Sequence, residues 1–276
     1  MKDVRIQVVG VIRFSVLAEG FAVDLYGGMD RLRQYLFDSG SLGWRFHIFE
    51  NLGLPSLLRQ TDPDFQLVLL TSIELPDYAR ERLEALVAPY GNLHVHAEGV
   101  EKQHRLIRRA YDSIPHDGYT HRAAFRLDND DAVCMTFVER LKHLSHGLLD
   151  LGGTDEPTAI AFNRGFYVEM KEDEPHEVYD TVEREPLSTG TALLSRAGYH
   201  LNPYRYNHRA VAQHFNTYSD ISFPVFLRTV HGENIDRVMK RGLRGRHGPR
   251  RIEKQIRSHF GMEMQDIWRL KCPPRD

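Results

Sequence analysis

The sequence predicts an α/β fold, an open and mostly parallel sheet with helices on both faces. Short apolar runs alternate with amphipathic stretches four times before residue 150, the rhythm of repeated strand–helix units. The first run, VRIQVVGVI at residues 4–12, is β-branched and apolar, as a strand buried inside a parallel sheet should be. With 276 residues, 41% of them hydrophobic, the chain can also bury a sizeable core, as one large or two small domains.

In chain order, residues 52–60 read as a short amphipathic helix and FQLVLL at 65–70 as the second strand. Residues 77–88 have helical spacing, with Leu83, Leu86 and Val87 on one face. A brief third strand at 93–96 leads to an arginine-rich helix at 102–111. The fourth strand is expected at 120–127, followed by a helix at 132–144 that buries Val133, Phe137, Leu141 and Leu144. Beyond residue 150 the signals mix: strands at 158–168, 192–194 and 224–230, and a helix at 208–215. This divides the chain into a first half through residue 150, a second portion at 151–235 and a basic C-terminal segment at 236–276. From Arg237 to Arg257 that segment carries nine Lys and Arg residues against a single acid, Glu253.

Several function classes recede. The net charge of −2 gives no global bias toward nucleic acid or membrane. No stretch approaches the roughly 20 apolar residues of a spanning helix, and the charged N-terminus does not read as a secretory signal. Cys134 and Cys272 lack metal-type spacing and suit a reducing, cytoplasmic setting. No G-x-G-x-x-G follows the first strand, against a dinucleotide-binding enzyme.

The chemistry concentrates in FRLDNDDAV, residues 125–133. Ligands of parallel α/β sheets bind at the carboxyl ends of the strands, and the acids fall at that end of the fourth strand. Asp128 and Asp130 are two apart in extended chain, so their side chains can point the same way. Two hard carboxylates suit Mg²⁺ or Mn²⁺, which take one or two carboxylates plus substrate phosphates. Asp131 is expected to cap the following helix. An EF-hand loop fails, because its sixth-position glycine is Val133 here. A solvated turn remains the alternative on spacing alone.

The stretch SLLRQTDPDFQLVLLTS (56–72) is similar to the N-terminal pattern of nucleotide-sugar glycosyltransferases of the GT-A fold. Residues 105–141 resemble their basic helix, apolar strand, D-x-D and following helix. Taken in order, RFS, SLLRQTDPDF, RLDNDDA and TVHGENI resemble the rhamnosyltransferase family over most of the chain. The resemblance implies a metal-dependent glycosyltransferase that moves a sugar, rhamnose or a relative, from a nucleoside diphosphate sugar to a glycan or lipid-linked acceptor. It implies Asp130 as direct metal ligand, Asp128 on the metal or the donor, and His231 as a third ligand. Arg13 and Arg105 would reach the donor base or diphosphate, with the first half of the chain holding the donor and the second the acceptor. Thr71 and Ser72 stand where relatives often carry a base-binding aspartate, so the base stays open between uridine and thymidine.

An inverting transfer needs a base for the acceptor hydroxyl. The turn LSTGTALLSR (187–196) fits the acceptor side, with Gly190 allowing close approach of a sugar. His208 and Asp220 are then candidate bases, each also readable as a surface or turn residue, and a retaining course would need neither. The basic C-terminal segment admits three readings: a solvated, partly helical face, a lid over the diphosphate, or a patch for anionic lipid or nucleic acid. Aromatic residues are nearly absent from it, against single-stranded nucleic acid. Two other functions stay open, a non-catalytic nucleotide-sugar-binding protein and a metal-dependent nucleotidyltransferase using the same carboxylates.

Overall fold

A computed structural model describes residues 3–20, 22–152, 156–232 and 242–274. The four apolar runs become β1 (Ile6–Arg13), β2 (Gln66–Ser72), β3 (Leu93–Glu98) and β4 (His121–Asp128), paired in parallel in the order β3-β2-β1-β4. Between β1 and β2 lie α1 (Met29–Phe37), α2 (Ser39–Ile48), a π-helical turn (Phe49–Gly53) and α3 (Leu54–Leu58). Helix α4 (Asp77–Val87) follows β2 and α5 (Gln103–Asp112) follows β3. Strand β1 shows why the run reads as continuously apolar. Val8 and Ile12 enter the core shared with α2, α3 and α4, while Val9 and Val11 enter a second core against Leu106, Ile107 and Ala110 of α5. Helices therefore cover both faces, and the expected α/β class with a mainly parallel central sheet is the observed one.

After β4 come β5 (Asp131–Val133), α6 (Phe137–Gly152), β6 (Thr158–Phe162), β7 (Arg164–Glu169), β8 (Glu177–Val182) and β9 (Ala192–Arg196). A 3₁₀ turn (His208–Gln213), β10 (Asn216–Asp220), β11 (Phe226–Val230), β12 (Leu243–Arg244), α7 (Pro249–Phe260) and α8 (Met264–Trp268) complete the described elements. Strand β9 runs antiparallel between β4 and β6, so the first sheet has the order β10-β6-β9-β4-β1-β2-β3. A second sheet, β12-β8-β7-β11-β5, was not expected from the sequence. Residues beyond 150 thus extend the first sheet and build most of the second.

Three expectations are corrected. The helix placed at 132–144 begins only at Phe137, because residues 131–133 pair antiparallel with β11. Asp131 is therefore a strand residue and caps no helix. The strand placed at 158–168 breaks at Asn163, its two halves serving different sheets. The basic C-terminal segment is in part a docked helix: Ile252, Ile256 and Phe260 of α7 are buried, and Arg257 pairs with Glu253 and Glu263. Arg237, Lys240 and Arg241 of that segment lie outside the described residues. Among those described, no helix is long and apolar enough to cross a membrane.

Candidate active-site cleft

The parallel register of β1 and β4 sets Arg13 beside Asp128 at the carboxyl ends of both strands. A cleft of about 430 Å³ opens there. Its floor is the end of β4 and the turn after it, and its sides are α1, α2, residues 204–208 and the end of β11. Residues alternate in side along a strand, so Arg126 and Asp128 project from the same side of β4. Tyr204 packs between them and β1: its hydroxyl donates to the Val11 and Leu127 carbonyls, at 2.8 and 3.2 Å. The Arg126 and Arg13 guanidinium groups lie 4.2 and 5.2 Å from the Tyr204 ring centre.

The three aspartates have different partners. Asp128 accepts from Arg13 Nη2 at 2.9 Å. Burial opposes ionisation of Asp128, but Arg13 and Arg126 outweigh it and hold the carboxyl well below the usual range. Asp130 shares a 2.9 Å hydrogen bond with His231 Nε2, and the His231 ring packs edge-on against Trp44 with centroids 4.7 Å apart. Asp131 accepts from the Thr189 hydroxyl and from Thr229 N, tying the 188–191 turn and β11 to the cleft floor. Burial, followed by the neighbouring Asp130 charge, pushes the Asp131 carboxyl well above its ordinary value.

Arg13, Asp128, Asp130, His208 and His231 all line the cleft, as placed from the sequence. His208 is 3% exposed. Burial, aided by the charges of Arg126, Arg228 and Arg209, lowers its pKa to about 3, so it is neutral near pH 7.

Three other expected site residues fall outside the cleft lining. Arg105 lies on the solvent side of α5, more than half exposed and paired with Glu101 at 3.3 Å; Gln103 of the same helix reaches the cleft instead. Gly190, with φ of 75°, donates its N–H to the Arg126 carbonyl, and a Cβ there would sit 3.1 Å from the Phe137 ring. It faces the core and braces β4. Asp220 ends an edge strand, buried against Arg140 Nε at 2.5 Å and accepting from Ser222 N. That arrangement ties β10 to α6.

Residues not anticipated from the sequence include Arg45, Arg126 and Arg228, all buried and all lining the cleft. A lone cation inside an apolar strand, FLRTV, was the available signal for Arg228, and a cation two residues before Asp128 on the same side of β4 was the signal for Arg126.

Asp130 and His231, already within hydrogen-bond distance, offer one carboxylate oxygen and one imidazole nitrogen, a donor set that fits a divalent cation. Asp128 is turned to Arg13 and does not join them. Among the described residues no group of three or more His, Cys, Asp or Glu side chains is arranged to hold a metal ion.

The sequence family described as "Putative rhamnosyl transferase" matches residues 7–242. No curated protein sequence matches the chain. Among solved structures, S. aureus TarS is 12% identical with a TM-score of 0.42, over 82% of this chain and 37% of that one. S. aureus TarS 1–349 in complex with UDP is 10% identical with a TM-score of 0.41, over 82% and 61% of the two chains. A "putative nucleotide-diphospho-sugar transferase" from Desulfovibrio desulfuricans G20 is 9% identical with a TM-score of 0.32, over 82% and 81%. The chain thus spans between about one third and three fifths of the length of these TarS chains.

Proposed function

The chain belongs to the "Putative rhamnosyl transferase" family, and from that premise we propose that it is a glycosyltransferase using a nucleoside diphosphate sugar as donor. The observation that carries the reading is the cleft itself. It lies at the carboxyl ends of parallel strands, where α/β sheets bind ligands, and brings Arg13, Asp128, Asp130 and His231 together from β1, the turn after β4 and the end of β11. The donor diphosphate lies among the guanidinium groups, which match phosphate oxygens as bidentate donors.

Asp130 and His231 are the residues that would hold a divalent cation, Mn²⁺ or Mg²⁺. Such an ion supplies Lewis-acid stabilisation of the departing diphosphate. His208, neutral and buried in the cleft wall, is the residue we propose to accept the proton of the acceptor hydroxyl. Its low basicity reflects burial first and the arginine charges second, and phosphates among those arginines would raise it. Asp220 is not retained in this role, because Arg140 occupies its carboxylate. Rhamnose as the sugar and a glycan or lipid-linked acceptor follow from the family description and the resemblance alone.

The test is incubation of the full chain with thymidine and uridine diphosphate sugars, with Mn²⁺ and a panel of glycan acceptors. Release of a nucleoside diphosphate is the expected result. Release of pyrophosphate would indicate nucleotidyl transfer, and absence of any turnover with retained binding would leave a nucleotide-sugar-binding protein.

A further inference from the structure

Three arginines of the cleft are buried without an ionic partner. Arg45, Arg126 and Arg228 are 7%, 8% and 6% exposed, and among the described residues no carboxylate oxygen lies within 4.0 Å of any of them. Arg45 donates to the Leu36 carbonyl at 3.0 Å and the Ser15 hydroxyl at 3.3 Å. Among the described residues Arg228 reaches only the Ser188 hydroxyl, at 3.4 Å. Arg126 lies over the Tyr204 ring, and its Nε has no hydrogen-bond acceptor among the described residues. Burying a cation with no counter-charge is costly, and three such groups around one cleft call for an anion.

The nearby carboxylates supply it only in part and from beyond salt-bridge distance, Asp128 acting on Arg126 and Asp131 on Arg228. Asp128 is engaged by Arg13, Asp130 by His231, and Asp131 by Thr189 and Thr229. The cleft is lined by five arginines (Arg13, Arg45, Arg126, Arg205 and Arg228) and three aspartates, of which Asp131 is pushed by burial toward its neutral form, so positive charge is in excess. A nucleoside diphosphate sugar carries two negative charges, which that excess accommodates. A divalent cation would restore the surplus, so charge balance does not require one for binding.

We infer that Arg45, Arg126 and Arg228 form a diphosphate cradle that binds the donor without a divalent cation. The inference rests on the nucleotide-sugar reading above and deepens it: the cation bears on turnover, the arginines on affinity. Arg126 is the centre of the cradle. Its backbone is fixed on both sides by the 188–191 turn, with Gly190 N donating to its carbonyl and Thr191 accepting from its N–H.

The experiment is calorimetric titration of the full chain with inorganic pyrophosphate, UDP, thymidine diphosphate and free uridine, each in EDTA and in Mn²⁺. Pyrophosphate and the diphosphates are expected to bind in EDTA with Kd within about threefold of the Mn²⁺ value, and uridine far more weakly. Arg126→Met should weaken diphosphate binding in EDTA by about tenfold or more, with part of the loss recovered in Arg126→Lys. Arg105→Met, the same charge removed outside the cleft, should bind as the unaltered chain does. Diphosphate binding that appears only with Mn²⁺ overturns the inference, and that comparison needs no variant to fold. So does an Arg126→Met protein that melts normally and binds unchanged. Pyrophosphate binding in EDTA with no gain from the nucleoside would keep the cradle and remove the nucleotide-sugar reading instead.

Discussion

His208 links the cleft to stability in a way that can be measured without any substrate. Folding lowers its pKa from 6.5 to about 3, first by burial and then by the charges of Arg126, Arg228 and Arg209. The unfolded chain therefore takes up this proton more readily than the native one. Stability from the group is complete above pH 6.5 and is lost as the pH falls from there toward 3. At pH 5 the unfolded imidazole is almost fully protonated and the native one almost fully neutral. Integrating the linkage between pH 7 and pH 5 gives about 2 kcal/mol. His208→Gln removes the titration while keeping a polar side chain of similar reach. Urea unfolding of both proteins at pH 7 and pH 5 isolates it, because every other titrating group is shared and cancels in the difference. The unaltered chain should lose about 2 kcal/mol more than the variant over that interval. Equal losses in the two proteins would refute the reasoning and mean that His208 is solvated or paired with an anion in the native state.

Two further outcomes separate structural from catalytic roles. Asp220→Asn should lower stability by about 1–3 kcal/mol through the lost Arg140 pair, with kcat/KM of the folded protein unchanged; a fall of about a hundredfold in a normally folded variant would make Asp220 the base after all. Gly10→Ala would put a Cβ 2.2 Å from the Phe125 ring and 2.7 Å from Leu67 Cδ1, so melting should fall by roughly 4–8 °C, the equivalent of about 2 kcal/mol of overpacking, and Phe125→Leu on that background should recover part of it.

The parallel core was legible because β1 and β2 are apolar on both faces, β3 and β4 carry apolar residues on one, and the connecting helices are amphipathic. The segment between β1 and the π-helical turn was not. Helix α2 contains Gly40 and Gly43, which weaken a helical pattern, although Asp38 caps it through Gly40 N and Ser41 N, a recognisable start signal. The second sheet was hidden for a different reason. Strand β5 is three residues long and β8, EVYDTV, is half polar, so each owes its conformation to neighbours distant in sequence.

The site divides along the same line. Asp128 and Asp130 could be named because their type and spacing at a strand end suggest chemistry, and His231 because the family resemblance implies it. Arg13, named at its strand end, lines the cleft, whereas Arg105, one of a cluster of three, does not. Arg105, Arg108 and Arg109 cluster on α5, but Leu106, Ile107, Ala110 and Tyr111 fill its buried face, so all three arginines point outward, to Glu101, Asp112 and Glu98. Arg228 is the single cation of an apolar strand, and strand alternation sends Arg126 of β4 to the same side as Asp128. A cation in a polar stripe is already solvated and needs nothing from a ligand. A cation surrounded by hydrophobic neighbours must be compensated by the protein or by what the protein binds. In this cleft no carboxylate among the described residues forms a salt bridge with Arg126 or Arg228, which is why the proposed cradle assigns the remaining compensation to a ligand.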